Sequence, residues 1–188
     1  MSQSMNPQDE VSPARRPRRT NWLNLPTEIA ASLLAATTVL ISLPPVNLPP
    51  WAIFIGWAGT FAAGGPKRDV FKKIWPAMVL GSTVALLIVL SFEQVSHYLS
   101  GWAFTVAQMV ILFVLNGLMI ATARVSSTFS FVPGMFFGFA SYFATVFGGF
   151  GPVAHNPWWA WVAVVPMNAL GPIFAWLNVK LQVPHART

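Results

Sequence analysis

Six long apolar runs, separated by short connectors that hold nearly every charge, set the pattern of this chain. They extend from about Thr27 to Leu43, Trp51 to Gly65, Phe71 to Phe92, Gly101 to Ala123, Phe129 to Phe150 and Pro157 to Val179. Stretches this apolar do not stay in water, and each predicts a helix that crosses a bilayer. The connectors carry the turn residues, at Leu43-Pro44-Pro45, Gly65-Pro66, Gly151-Pro152 and Asn156-Pro157, and are too short to separate two domains. The expected fold is therefore an all-α polytopic membrane bundle of six transmembrane helices over residues 26–179. A basic tail, residues 1–25, precedes it and has too little apolar surface to fold alone; residues 180–188 form a second short tail.

An even number of spans places both termini and the second and fourth connectors on one side of the membrane. That side holds Arg15, Arg16, Arg18, Arg19, Lys67, Arg68, Lys72, Lys73, Arg124, Lys180 and Arg187, which are all 11 basic residues of the chain. The opposite connectors, near Asn47, Glu93 and His155, have none. Topology and charge bias agree, and both termini are expected in the cytoplasm.

Composition excludes several classes. The 188 residues are 55% hydrophobic and 9% charged, against roughly a quarter charged in a soluble domain, so this is not a conventional soluble protein. The net charge of +6 follows from the positive-inside rule, and no nucleic-acid partner is expected from it. The expected partners are the lipid bilayer and, at Arg15 to Arg19, anionic lipid. The twin arginines precede a whole train of apolar runs, so a retained first span is expected rather than a removed export signal. With no cysteine in the chain, disulfides, thiolate metal sites, iron–sulfur clusters and thiol nucleophiles are excluded.

The second and fifth runs share a motif. Phe54-Ile55-Gly56-Trp57-Ala58-Gly59-Thr60-Phe61-Ala62 and Phe136-Phe137-Gly138-Phe139-Ala140-Ser141-Tyr142-Phe143-Ala144 both read Phe-x-Gly-x-Ala-small-x-Phe-Ala. Each has a proline upstream, Pro50 or Pro133, and a glycine pair downstream, Gly64-Gly65 or Gly148-Gly149. The motif predicts two three-helix repeats, about 26–92 and 101–179. Because each has an odd number of spans, the repeats are inverted relative to one another. Such duplications are common in transporters and channels, where short or Gly/Pro-interrupted segments mark the pathway. The second run, 15 residues, is about 22 Å long as a helix against roughly 30 Å of hydrocarbon.

Helical spacing puts Phe54, Ala58 and Phe61 on one face, and Phe136, Ala140 and Phe143 on another. The two aromatic stripes are expected to meet at the bundle centre and line a pathway, the alternative being ordinary packing or contact with lipid. Gly56, Thr60 and Gly64, and Gly134, Gly138 and Ser141, form small-residue faces for close helix approach. Gln108, Asn116 and Asn168 are polar within apolar runs and are expected to face the bundle, as hydrogen-bonding groups of the pathway or as interhelical ties. Pro133 with Gly134, Pro166, and Gly171 with Pro172 are expected to break or kink their helices, for packing or to line a cavity. Trp51, Trp102, Trp158, Trp159 and Trp161 cluster at the non-cytoplasmic ends, as an interfacial belt does.

Enzyme chemistry has little to stand on. His97, His155 and His185 fall in separate connectors or the tail, and no carboxylate pair lies within a span. No catalytic residue, metal site or cofactor is expected.

The string Phe131-Val132-Pro133-Gly134-Met135-Phe136-Phe137-Gly138, followed by Phe143-Ala144, resembles a family of small bacterial inner-membrane proteins, the domain of unknown function numbered 1097. Phe54, Gly56, Phe61 and Ala62 are similar to the matching stretch of the second span. The resemblance covers most of the chain from the first span to the sixth and implies a multi-pass protein of the bacterial inner (cytoplasmic) membrane. It implies no substrate, catalytic residue or cofactor. The leading functional expectation is a channel or facilitator for a small uncharged solute, with Phe54, Phe61, Phe136 and Phe143 as an apolar constriction beside Gly56 and Gly138. The other is a structural or accessory membrane subunit without transport activity. A homo-oligomer is compatible with either, since six short helices leave little room for a wide pathway.

Overall fold

Six α-helices follow one another in the computed structural model, which describes residues 22–45 and 47–182. They are α1 (Thr27–Thr37), α2 (Pro50–Ala62), α3 (Arg68–Ser96), α4 (Gly101–Val125), α5 (Val132–Phe147) and α6 (Pro157–Leu181). Two short 3-10 segments, Thr38–Ser42 and Ser127–Phe129, extend α1 and precede α5. No named strand occurs among the described residues; an isolated bridge joins Leu25 to Gln182. Most of the basic tail, with Arg15, Arg16, Arg18 and Arg19, lies outside the described residues, as do residues 183–188.

The helix boundaries follow the sequence punctuation. Proline stands in the first turn of α2, α5 and α6, where its missing N–H costs nothing. Pro133 thus starts α5 rather than interrupting it. The side chain of Asn156 caps α6, accepting from Trp158 N and Trp159 N at 3.1 Å. Past α2, Gly64 and Gly65 adopt φ of 107° and 90°, a region only glycine enters without strain. The internal prolines, Pro76 in α3 and Pro166 and Pro172 in α6, are accommodated without a break, and α6 is continuous from Pro157 to Leu181. Of the break or kink expected in the sixth helix, the break does not occur. A proline removes one ladder bond, and packing of its turn against a neighbouring helix keeps the helix going.

By length and composition, α3, α4 and α6 are long and apolar enough to cross a membrane. The 13 residues of α2 and 16 of α5 give only about 20 and 24 Å. Each short helix lies on a long one: the closest packings are α3 with α5 and α2 with α6. The outer helices then attach, α1 to α2 and α6 through Leu34, Trp57 and Ala175, and α4 to α3 and α5 through Met119, Val84, Ile88 and Met135. The largest core, shared by α2, α3, α5 and α6, contains Ile53, Leu86, Val89, Tyr142, Val146 and Val164.

The ends are tied. Trp22 N donates to Lys180 O at 2.9 Å and Leu25 N to Leu181 O at 2.8 Å, so the start and finish of the described chain lie side by side. Residues 22–25, assigned to the tail by composition, are held to the end of α6. At the opposite end Gly151 N donates to Asn47 O at 2.8 Å and Asn47 Nδ2 to Gly149 O at 3.3 Å. The Trp51 and Phe150 rings meet edge to face at 4.1 Å. The connector before α2 is thus held to the connector before α6.

Candidate functional site

Glycines allow the closest helix approaches. A Cβ on Gly138 of α5 would run into the Met78 backbone of α3, and one on Gly81 of α3 would run into the Met135 carbonyl of α5. The other pair is built alike: a Cβ on Gly171 of α6 would meet the Gly56 backbone, and one on Gly56 would stand 2.5 Å from Asn168 O. That carbonyl is the one Pro172 leaves without its intrahelical N–H, and Gly56 lets α2 lie directly over it. Gly56 and Gly138 therefore hold helix crossings and do not line an open passage.

A polar chain runs between the two crossings. Ser82 Oγ of α3 donates to Gly138 O at 3.0 Å and accepts from Asn168 Nδ2 of α6 at 3.3 Å. Both side chains are buried, near the middle of their helices, at half the depth of the bundle. Asn168 Oδ1 accepts no hydrogen bond from the protein, and neither does Ser141 Oγ, one turn along α5 from Gly138, find a partner. Thr60 and Thr145 are also fully buried, but each hydroxyl is satisfied within its own helix, by Gly56 O and Ser141 O. A buried polar atom without a partner costs roughly 1–3 kcal/mol. Two such atoms in one layer make this layer the place where a hydrogen-bonding ligand gains most.

Replacing Ser82 by alanine removes both links of this chain. The expected loss is about 1 kcal/mol, since interhelical hydrogen bonds in membranes are individually modest, and reversible unfolding in mixed micelles measures it. A loss above about 3 kcal/mol would show that Ser82 also holds the backbone crossing itself.

The aromatic stripes lie elsewhere than expected. Phe54, Phe61 and Phe136 are 39%, 42% and 41% exposed, on the outer surface of α2 and α5. Phe143 is half-buried in a ring ladder with Phe139 at 4.8 Å and Phe147 at 5.7 Å. No ring of one stripe contacts a ring of the other among the described residues. The physical reason is the glycine crossing: α2 and α5 each turn their small-residue face to a long helix, which leaves the Phe face outward. Pro133 and Gly134 sit at the start of α5, where Gly134 faces the Phe131 ring and Ala77. Gln108 and Asn116 are half-buried on α4, and Asn116 Oδ1 has no hydrogen-bond partner. Glu28, Glu93 and His97 are exposed, and His155 Nδ1 lies 3.2 Å from Val146 O.

Sequence reasoning found Asn168, named Ser141 only as a small residue for close helix approach, and missed Ser82 and Gly81. The signal for Gly81 was present. Pro76-Ala77-Met78-Val79-Leu80-Gly81 in α3 and Pro166-Met167-Asn168-Ala169-Leu170-Gly171 in α6 both read Pro-x-x-x-Leu-Gly. Each ends on the glycine that meets the Phe-x-Gly helix of a crossing.

A family model described as Protein of unknown function (DUF1097) matches residues 28–182, from the first turn of α1 to the last described residue. No curated protein and no solved structure matches the chain.

Proposed function

We propose that this chain, which belongs to the DUF1097 family, is an inverted-repeat facilitator for a small uncharged solute in the bacterial inner membrane. The repeats are α1 to α3 and α4 to α6. Exchanging them turns α2 on α6 into α5 on α3, which are the two closest packings in the bundle. The same exchange carries Gly56 to Gly138 and Pro76, Leu80 and Gly81 to Pro166, Leu170 and Gly171. Two motifs and one packing pattern obeying a single exchange support duplication over coincidence. Both termini face the cytoplasm in this reading, supported by the one-sided Lys and Arg and by Trp22 lying against Lys180.

Each closely packed pair takes one helix from each repeat. The pairs are locked internally by backbone contact at glycine, while between them the seam is held by side chains: Asn168 to Ser82, Trp75 Nε1 to Ala169 O at 3.0 Å, and Trp161 Nε1 to Thr83 Oγ1 at 3.2 Å. Rocking of one pair against the other opens this seam without unpacking either pair. The observation that carries the proposal is Asn168 Oδ1, buried in the seam at half depth and without a donor. A solute with N–H or O–H groups, having shed water, finds its acceptor there. With no charged side chain in the seam's polar layer, strong ion binding is not expected.

Stopped-flow permeability of proteoliposomes to water, urea, glycerol, ammonia and formate, against empty liposomes, tests this. Selective flux of one neutral hydrogen-bond donor is expected. A second reading, a membrane subunit without transport activity, is favoured by the closed glycine crossings. Flux equal to that of empty liposomes, from protein with full helix content, would establish it instead.

A further inference from the structure

Two side chains of the polar layer keep hydrogen-bonding capacity that the protein does not use, and their chemistry specifies what would use it. Both are buried, Asn168 being 2% exposed and Ser141 0%. Ser82 fixes the orientation of the amide. Its one hydroxyl proton goes to Gly138 O, so the atom of Asn168 that faces Ser82 Oγ has to be a donor, Nδ2. Oδ1 is the atom left over, and it accepts nothing from the protein.

Ser141 joins this group through α5. A serine hydroxyl in a helix comes within reach of the carbonyl three residues back, and for Ser141 that is Gly138 O, the oxygen Ser82 already holds. Thr60 and Thr145, equally buried, turn their hydroxyls to the carbonyl four residues before, whereas Ser141 Oγ has no partner. Its O–H is free to donate and its lone pairs to accept. The neighbours on the other faces of the layer are apolar: Ala85, one turn from Ser82, and Val164, one turn from Asn168, belong to the largest core.

The free inventory is two acceptors, Asn168 Oδ1 and Ser141 Oγ, and two donors, the Ser141 O–H and the Asn168 N–H that Ser82 does not take. A neutral primary carboxamide carries the complement, two N–H groups and a carbonyl oxygen with two lone pairs, on one rigid plane. A carboxylate has no donor, ammonia has one lone pair for two donors, and a simple alcohol has one O–H for two acceptors. A diol reaches the same count only by freezing its rotatable bonds. Urea brings more N–H groups than the layer can satisfy, whereas the hydrocarbon part of a small amide suits Ala85 and Val164.

We infer, on the reading of this chain as a facilitator, that the layer selects small neutral primary amides. Asn168 Oδ1 and Ser141 Oγ take the two N–H groups, and the Ser141 O–H and the free Asn168 N–H hold the carbonyl oxygen. Ser82 is a positioning residue: it aims the Asn168 amide and does not touch the solute.

Acetamide and its isomer N-methylformamide make the test direct, because they contain the same atoms and differ in having two N–H groups or one. In proteoliposomes of the full chain, with the flux of empty liposomes subtracted, acetamide is expected to move about tenfold faster, the effect of one lost hydrogen bond in a buried setting. Ser141→Ala is expected to reduce that ratio to about twofold. Should Ser141→Ala lose helix content, Ser141→Cys, of similar size and only a weak donor, takes its place with the same expectation. Ser42→Ala removes another buried hydroxyl without a partner, at the end of the 3-10 segment after α1, and is expected to leave the ratio unchanged. Equal fluxes of the two isomers, an unchanged ratio in the folded Ser141 variant, or facilitated flux of water alone overturns the inference and leaves the facilitator reading standing. No facilitated flux of any solute overturns both.

Discussion

Leucine in place of Gly138 is expected to leave little folded protein, and leucine in place of Gly171 the same, while leucine in place of Gly117 leaves the single-chain fold intact. All three are mid-helix glycines in apolar helices, so helix propensity favours each substitution alike. The difference lies in what the new Cβ meets. At Gly138 it meets the backbone of Met78 and at Gly171 the backbone of Gly56, neither of which can rotate away. Overpacking against side chains that can move costs about 1–3 kcal/mol. Here a whole helix has to shift, which gives up the packing around Ser82, Met135 and Ala77 or around Ala52 and Met167. A loss above about 4 kcal/mol is expected, in the range that single substitutions reach only by disrupting a core. Gly117 has open space, so a side chain there costs the single-chain fold little. Thermal unfolding followed by helix content in one detergent, for the three variants side by side, gives the ranking. Wild-type stability of Gly138→Leu would mean that α3 and α5 do not cross at this position.

Asn168→Leu is expected to lower solute flux at least about tenfold while the protein stays folded. The substitution removes a buried acceptor in the seam that no protein donor uses and replaces it with a side chain of similar size. A solute entering the seam then loses a hydrogen bond worth roughly 1–3 kcal/mol in a buried setting, and 1.4 kcal/mol corresponds to a factor of ten in rate. Ser82 keeps its bond to Gly138 O, so the α3–α5 crossing survives. By contrast Phe54→Ala, Phe61→Ala and Phe136→Ala change exposed positions and are expected to leave flux within about twofold, since substitutions far from a pathway alter little. Stopped-flow measurement on the four variants distinguishes the two locations. Flux that depends on the phenylalanines and ignores Asn168 would put the pathway on the outer surface, between copies.

The six helices, their order and the one-sided basic connectors were legible before any packing was known. Hydropathy over a run depends only on which residues it contains, and a backbone in lipid has to satisfy itself, so an apolar run there becomes a helix whatever its neighbours are. Prolines at positions 50, 133 and 157, in the first turns of α2, α5 and α6, fixed where those helices begin for a similarly local reason. What the sequence did not carry was the direction each helix faces. In a soluble bundle the apolar stripe points inward, but here both sides of α2 and α5 are apolar, and spacing alone placed Phe54 and Phe136 inside as readily as outside. The facing was decided by backbone approach, at Gly56 over Asn168 O and at Gly138 over Met78, because among lipid chains it is close contact and hydrogen bonding, not burial from water, that selects one packing. For the same reason the polar layer of Ser82, Ser141 and Asn168 exists only in the tertiary structure: the three residues come from three helices, and only the crossings bring them to one depth.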